Sequence, residues 1–578
     1  MYVIIMSSVQ TEKARRQGGS DAAGEDRENH MRTSNYERKI RNGAKTAAAL
    51  LLLTVMVIIC GDKVQAAGRP VAINCQIAGG NVNCTLTTST IPSSDDGKYY
   101  IYADEVFQDG PTGRIVASVD AGTSVTAVFP LNYNTAESNL SCKFIAAVKR
   151  GGQMMQVSDE RYITNPEANA AYTTGRMTRG IKGILPEVSA INSGELKDLG
   201  IQQVVYNLYL NEICAAPGEE GTIPYAYNGQ TYYFSNGRIT HYDQMVKGFN
   251  AQGMQVTMVL LNGEASAGSQ DLIHPDARGA ECPSYALNVA EAGGVNHLKA
   301  VCAFLGQRYS GKTGNGQIDN WILGNEVNAR TSWWYMNSSN LDVNVSAYVK
   351  AFRIFYNELK AMNANVWVYN SIDQEWGRKS NPGSFLAKDY LDQFNYYINR
   401  EGNIDWSLSY HPYNSPLYDP YAWNGPAVWV KQGLSTPYIT MQNIDILINY
   451  MHQPQFLNPA GQVRSISLAE IGYTSYFGTE NQEASVAYGY LKAASLPDVD
   501  AFMLFRFKDD AHEMESKLNL GITNLDGSHK PAYSIYKNLG TANAGAAKAR
   551  ASEIIGMDID QMISQNIVWT RGGDGVVQ

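Results

Sequence analysis

The chain has 578 residues, enough for roughly two or three domains and a large apolar core. Hydrophobic residues make up 44% and charged residues 17%, which excludes wholesale disorder and a highly charged coiled coil. Acidic residues outnumber Lys and Arg 55 to 46, so we expect no nucleic-acid partner, because phosphate neutralisation normally requires a basic surplus.

The segment apolar enough to meet a membrane lies near the N-terminus. Residues 46–60 form an apolar run, shorter than the roughly 20 residues that a spanning helix needs. Basic residues precede the run, and Val64, Gln65 and Ala66 follow it as a cleavage site, which is the layout of a signal peptide. We therefore predict an extension over 1–66 and a mature chain that is secreted or at the cell surface, without stable membrane association. An uncleaved anchor is the alternative.

Residues 67–165 are predicted to form a small all-β sandwich. Short β-rich runs alternate there with Gly, Asp, Asn and Pro turns. No cluster of catalytic groups is found in this segment, so a packing or positioning role is favoured. Six cysteines follow the extension, but their spacing fits no zinc pattern and leaves the disulfide pairing open.

Residues 166–540 are predicted to form a (β/α)8 TIM barrel, so the fold class is α/β. Apolar strand-like runs alternate with amphipathic helical patterns, and no glycine fingerprint supports a doubly wound dinucleotide fold. The eight predicted strands are 181–185, 203–208, 256–261, 320–323, 366–370, 406–410, 465–469 and 501–505.

Long segments follow predicted strands 2, 3 and 6, on the face where such barrels build active sites. They are rich in aromatic residues, including Tyr225, Tyr227 and Trp423, and part of this set is expected to supply a stacking surface for a ligand. Residues 541–578 are predicted to be a tail that is partly helical.

Two acids directly follow buried strands. Glu326 follows strand 4 in Gly324-Asn325-Glu326, and Glu470 follows strand 7. Strands 4 and 7 face each other across the mouth of an eight-stranded barrel, so the two carboxylates are expected to converge on one bond. Such a pair can attack a sugar anomeric carbon and protonate the leaving oxygen.

The region 176–540 resembles the large clan of retaining glycoside hydrolases with a β/α barrel. The resemblance is carried by Asn325-Glu326 after strand 4, Glu470 after strand 7, and His411 and Tyr413 after strand 6. It implies that Glu326 is the acid/base, Glu470 the nucleophile and Asn325 a donor to the sugar 2-hydroxyl. It also implies that His411 lines the sugar site and that the Tyr413 hydroxyl bonds the nucleophile.

The chain departs from this clan in two places. Strand 8 leads into Phe505 and Arg506 where a Trp is common, and Arg506 or Lys508 is then expected to favour an anionic sugar. Asn207 stands after strand 2 where an arginine is conventional. Asn207, Tyr473 and Arg506 complete the predicted substrate-binding set.

The resulting prediction is an exported retaining glycoside hydrolase that cleaves an oligo- or polysaccharide without a metal or cofactor. Catalytic zinc, a serine-hydrolase elbow and a phosphate-binding loop have no matching motif. Glu264 and Asp373 are expected at the rim of the cleft. A non-catalytic carbohydrate-binding surface protein is the rival from another class, and transglycosylation with the same two acids is the alternative enzyme activity.

Overall fold

The computed structural model of the protein describes residues 69–572. The predicted signal peptide and its cleavage site lie outside these residues. Within 69–572, no helix combines the length and the apolar character that crossing a bilayer requires.

Seven antiparallel strands form two sheets with a shared core ahead of the barrel, which confirms the predicted β-sandwich. Along Ala72–Ala78 the buried residues Ile73 and Cys75 alternate with exposed ones, because successive side chains of a strand point to opposite faces. Phe129 of one sheet and Phe144 of the other have ring centroids 5.4 Å apart. The strands are Ala72–Ala78, Asn81–Thr87 and Ser124–Pro130 in one sheet, and Lys98–Asp104, Arg114–Asp120, Lys143–Arg150 and Gln153–Gln156 in the other.

Eight parallel strands close into a barrel whose order follows the chain, so the predicted TIM barrel is confirmed. Each predicted strand is present, with ends shifted by at most three residues. Strand Gln255–Leu261 is buried at every position, because one face meets the barrel interior and the other meets the helices. The barrel strands are Lys182–Ile184, Gln203–Tyr209, Gln255–Leu261, Asn320–Leu323, Trp367–Asp373, Ser407–His411, Ile466–Ile471 and Val499–Leu504.

Helices follow the barrel strands and bury their apolar faces. Tyr348 lies on helix Leu341–Met362, which follows the fourth strand, and it is fully buried. Its hydroxyl donates a 2.8 Å hydrogen bond to the carbonyl of Leu323, close to Glu326. This bond ties the end of the fourth strand to its helix. The helices are Ala190–Ser193 and Glu195–Asp198 after strand 1, then Asn236–Ala251, Ala292–Arg308, Leu341–Met362, Ala387–Arg400, Asp445–Met451, Thr479–Ala494 and Pro531–Asn538, with the short helices Leu210–Ile213 and Ala511–Met514 in loops.

The aromatic segment after the second barrel strand joins the barrel to the sandwich. Tyr227 is buried, and its hydroxyl donates to Glu358 of a barrel helix, which also accepts a 2.9 Å hydrogen bond from Ser141 of the sandwich. Tyr225 packs edge-on against Phe304 of another barrel helix. The expectation of a ligand-stacking surface is therefore wrong for these two tyrosines. The strands of this segment are Cys214–Ala215, Thr222–Tyr227 and Gln230–Ser235.

The end of the described chain is attached to a loop at the barrel mouth. After helices Ala544–Ile555 and Ile559–Ser564, strand Trp569–Arg571 pairs in parallel with Asn424–Pro426, which lies in the segment after the sixth barrel strand. Arg571 also forms an ion pair with the buried Asp419 of that segment. The region predicted as a tail therefore helps to hold one of the long loops in place.

Candidate active site

A narrow cavity lies at the carboxyl ends of the barrel strands, and all eight strand ends contribute to it. This is the face on which TIM-barrel enzymes carry their active sites. Of the sequence-predicted residues, Asn207, Asn325, His411 and Glu470 line the cavity. The complete lining consists of Leu185, Val205, Asn207, Val259, Ile322, Asn325, Ser371, His411, Ala469, Glu470 and Phe505.

Glu326 is placed at the mouth by a sharp turn after the fourth strand. Gly324 has φ +74°, and a Cβ there would lie 2.8 Å from the Val327 side chain, so the turn requires glycine. Glu326 itself has φ +39°, which is uncommon for a residue with a Cβ. Its backbone N–H donates a 3.1 Å hydrogen bond to Ser371 Oγ at the fifth strand. A strained conformation that is held by neighbouring groups is typical of a functional position.

The two predicted catalytic acids meet across the mouth. One carboxylate oxygen of Glu326, one of Glu470 and a ring nitrogen of His411 all lie within 4.8 Å of one another. His411 Nδ1 is 3.0 Å from Glu326 Oε1, and the Tyr413 hydroxyl donates a 2.9 Å hydrogen bond to Glu470 Oε1. The carboxyl end of the sixth strand thus supplies a hydrogen-bond partner to each acid.

The electrostatics of the cluster favour a cation between two acids. Burial raises the pKa of Glu470 to about 7, and the charge of Glu326 adds to this rise, whereas His411 and Tyr413 oppose it. Burial lowers the pKa of His411, but its hydrogen bond to Glu326 and the charge of Glu470 outweigh burial and leave that pKa raised. A protonated His411 therefore favours the ionised form of Glu470.

Two further acids lie beside Glu326. Asp373 is buried, not at the rim as predicted from the sequence, and it accepts a 2.7 Å hydrogen bond from Asn328. Burial raises the pKa of Asp373 well above its usual range, with further contributions from Glu375 and Glu326. Glu375, which is not predicted from the sequence, is also buried, and only its position after the fifth strand could have indicated it. Glu264 is exposed, in agreement with a rim position.

Tyr473 is not part of the cluster. It is buried, and its hydroxyl lies against Gly489 of helix Thr479–Ala494, so its assignment to substrate binding is wrong. The chain turns outward after the seventh strand, and Tyr473 packs under the helix that follows. Arg506 lies next to Phe505 and is held by the carboxylates of Glu187, Asp510 and Glu513. Phe505 lines the cavity but is not among the residues predicted for the site, although its place at the end of the eighth strand was the signal.

The same cluster contains the side chains that could hold a metal ion. Within residues 69–572, Glu326, His411 and Glu470 are the group whose ligand atoms come close enough together. In the structure, however, His411 and Glu326 are hydrogen-bonded to each other, and Glu470 accepts from Tyr413.

The chain matches a family model and is similar to several solved structures. A model described as "Family of unknown function (DUF5722)" matches residues 174–562. A search of curated proteins found no match. Similar solved structures include a family 39 glycoside hydrolase from Bacteroides cellulosilyticus WH2, at 15% identity and a TM-score of 0.42 over 78% of this chain and 79% of that one.

Two β-glucuronidases are also similar at 10% identity. A calcium binding mutant of Bacteroides uniformis β-glucuronidase 2 has a TM-score of 0.37 over 82% of this chain and 50% of that one. The enzyme from Dictyoglomus thermophilum has a TM-score of 0.34 over 81% of this chain and 68% of that one. The chain thus spans half the length of the Bacteroides uniformis enzyme, and similarity at this level assigns it no activity.

Proposed function

The chain belongs to DUF5722, a family of unknown function, and from the acids at its barrel mouth we propose that it is a retaining glycoside hydrolase. The main support for this proposal is that an oxygen of Glu326 and an oxygen of Glu470 lie within 4.8 Å of each other. Carboxyl groups about 5–5.5 Å apart suit double displacement, whereas inverting enzymes leave about 6.5–9.5 Å for a water molecule.

The proposed reaction has two steps. In the first, the Glu470 carboxylate attacks the anomeric carbon, the glycosidic C–O bond breaks, and Glu326 donates its proton to the leaving oxygen. In the second, Glu326 takes a proton from water, the water oxygen attacks the anomeric carbon, and the bond to Glu470 breaks. The sugar leaves with its original anomeric configuration, and both acids return to their starting protonation states.

The other cavity residues supply the contacts that this reaction needs. Asn325 and Asn207 present amide groups to the sugar hydroxyls, and the Phe505 ring offers an apolar surface on which a sugar can pack. A second cleft of about 660 Å³, lined in part by Glu264 and Tyr285, lies in the segment after the third strand. Space on this face supports an oligo- or polysaccharide as the substrate class.

A covalent trap tests the proposal most directly. The protein is incubated with a panel of 2-deoxy-2-fluoro glycosides with good leaving groups, and digested peptides are analysed by mass spectrometry. We expect one sugar per chain, bound to Glu470, because the fluorine slows both steps and the good leaving group accelerates only the formation of the glycosyl-enzyme.

Three results would contradict parts of this proposal. Labelling of another acid would reject Glu470 as nucleophile, and sugar release with inverted configuration would reject the retaining mechanism. Glycan binding without any released reducing ends would favour a non-catalytic carbohydrate-binding protein. Transfer of the sugar to added alcohols in preference to water would identify transglycosylation with the same intermediate.

Tyr413→Phe is expected to move the acid limb of the pH profile of kcat/KM to higher pH. Glu470 must be ionised to attack, so activity falls as the pH drops below its pKa of about 7. The Tyr413 hydroxyl favours the ionised form, and its loss should raise that pKa by about 0.5–1. Tyr410→Phe is the control, because the Tyr410 hydroxyl donates to the carbonyl of Ile439 and not to an acid. Equal profiles for the two variants would contradict the role of Tyr413.

We also propose that the mature chain is exported, and a cysteine pair provides a test. Cys75 and Cys84 oppose each other on paired strands, both are buried, and their Sγ atoms are 2.8 Å apart. An exported compartment contains thiol-oxidising proteins that can accept the two protons and two electrons released when these thiols join. Peptide mapping of natively produced protein without reductant is expected to show Cys75 linked to Cys84. Two unmodified thiols would contradict export to an oxidising compartment.

A further inference from the structure

An ion cluster lies beside Glu470 at the end of the eighth barrel strand. Arg506 is only 2% exposed, and its guanidinium meets three carboxylates. Its Nη2 is 3.2 Å from Glu187 Oε1, and its Nη1 is 3.1 Å from Glu513 Oε1 and 3.5 Å from Asp510 Oδ2. Three acids therefore surround one cation, and the cluster carries a surplus of negative charge.

The cluster adjoins the proposed active site, because Leu185, two residues before Glu187, lines the cavity, although none of the four cluster side chains does. Arg506 directly follows Phe505, which lines the cavity, and the charge of Arg506 lowers the pKa of Glu470 against the effect of burial. The charge of Glu470 in turn contributes to raising the pKa of Glu513, which burial brings to about 7. Glu513 also contributes to the raised pKa of Tyr413, the residue that donates to Glu470. These interactions place Glu513 within electrostatic reach of the reacting groups.

One oxygen of this cluster has no partner within the described residues. Glu513 is 6% exposed, and while its Oε1 accepts from Arg506, its buried Oε2 has no hydrogen bond. An oxygen this deeply buried is out of reach of a bound sugar, so Glu513 acts on the site through its charge and not by contact.

Lys508 is the other cationic residue that was expected from the sequence to favour an anionic sugar, and it is not part of this cluster. Lys508 is half-buried, and its charge helps to lower the pKa of Asp526 in an exposed turn. Arg506 is opposed by three acids, so it offers a substrate carboxylate no uncompensated positive charge. For Arg506, the expectation that it favours an anionic sugar is therefore reversed.

We propose that the sugar bound against Glu470 is uncharged and that the acids around Arg506 exclude uronic acids. The inference rests on the proposed glycosidase function and adds its substrate class. A uronate carboxylate here would stand close to Glu513 and Glu187, and placing like charges together in a buried site is costly.

The test compares neutral glycosides with their uronic acid counterparts. Each pair, such as a 4-methylumbelliferyl galactoside and galacturonide, shares its leaving group and differs only at the sixth carbon. We expect kcat/KM for at least one neutral member to exceed that of its uronide by about 100-fold or more, as like-charge repulsion in a buried site implies. A uronide preferred over its neutral partner would overturn the inference and leave the glycosidase function intact.

Charge variants test the assigned residues. Glu513→Gln and Glu187→Gln are each expected to reduce the neutral-to-uronide ratio by about 10-fold, and Glu187→Gln keeps the test valid if Glu513→Gln does not fold. Glu515→Gln is the matched control, because Glu515 is an exposed acid two residues beyond Glu513. An unchanged ratio in both test variants would overturn the role of the cluster. Absence of hydrolysis of every pair, together with no label on Glu470, would overturn the proposed function and this inference with it.

Discussion

Glu470→Gln is expected to lower kcat by about 10⁴-fold or more on every substrate, because an amide cannot form the covalent bond to the anomeric carbon. The side chain keeps its size and can still accept from the Tyr413 hydroxyl, which donates to Glu470 Oε1 at 2.9 Å. The substrate should therefore still bind, and the change is expected in kcat far more than in KM. Steady-state kinetics with a neutral aryl glycoside measures both quantities.

The same substitution is expected to stabilise the folded protein at neutral and higher pH. Burial moves the pKa of Glu470 from its ordinary 4.5 to about 7 in the folded state. The folded protein therefore holds this proton more tightly than the unfolded chain, and this group's contribution to stability is lost as the pH rises from 4.5 to 7. The Gln variant avoids that loss, which amounts to at most about 3 kcal/mol in the free energy of unfolding.

Denaturant unfolding at about pH 4 and pH 8 checks this prediction. We expect the difference between the Gln variant and the unaltered protein to be small at the lower pH and largest at the higher one. Glu515→Gln, on the exposed surface, makes the same chemical change without the burial and should show no such trend. A Gln variant that is inactive and also less stable at pH 8 would show that Glu470 is a structural acid.

The sequence allowed the barrel and the acid pair to be predicted because both follow from regular geometry. Apolar runs at regular spacing indicate parallel strands that are buried on both faces, as Gln255–Leu261 is. The carboxyl ends of parallel strands share one edge, so an acid directly after a strand must lie at the barrel mouth. Glu326 and Glu470 obey this rule, as do His411 and Asn325.

The rest of the site depends on loop conformations, which no periodic sequence pattern specifies. Arg506 meets Glu187 across 319 residues of sequence, and no local pattern relates these two positions. Tyr473 stands only three residues beyond Glu470, yet the chain has already turned outward and the ring packs under a helix. Residues past a strand end can be predicted for the first one or two positions, and beyond these the packing of the loop decides.

Replacing Glu326 with Ala is expected to slow hydrolysis most for glycosides whose leaving group must be protonated before it departs. Glycosides with alkyl or sugar leaving groups require a proton, so their kcat/KM should fall by about 10³–10⁴-fold. Aryl glycosides with strongly acidic leaving groups depart without protonation, so the first step should be nearly unaffected. The second step then becomes slow, because no base activates the water, and the glycosyl-enzyme on Glu470 should accumulate.

Azide distinguishes this role from a structural one. Glu326→Ala leaves space beside the anomeric carbon, and azide needs no base, so it should attack the glycosyl-enzyme, break the bond to Glu470 and release a glycosyl azide of retained configuration. NMR of the product reports that configuration, and the turnover rate should rise with azide concentration. Glu264→Ala, which removes the exposed acid at the rim, is the control and should show neither accumulation nor rescue. A glycosyl azide of inverted configuration, or no rescue, would mean that Glu326 is not the acid/base of a double displacement.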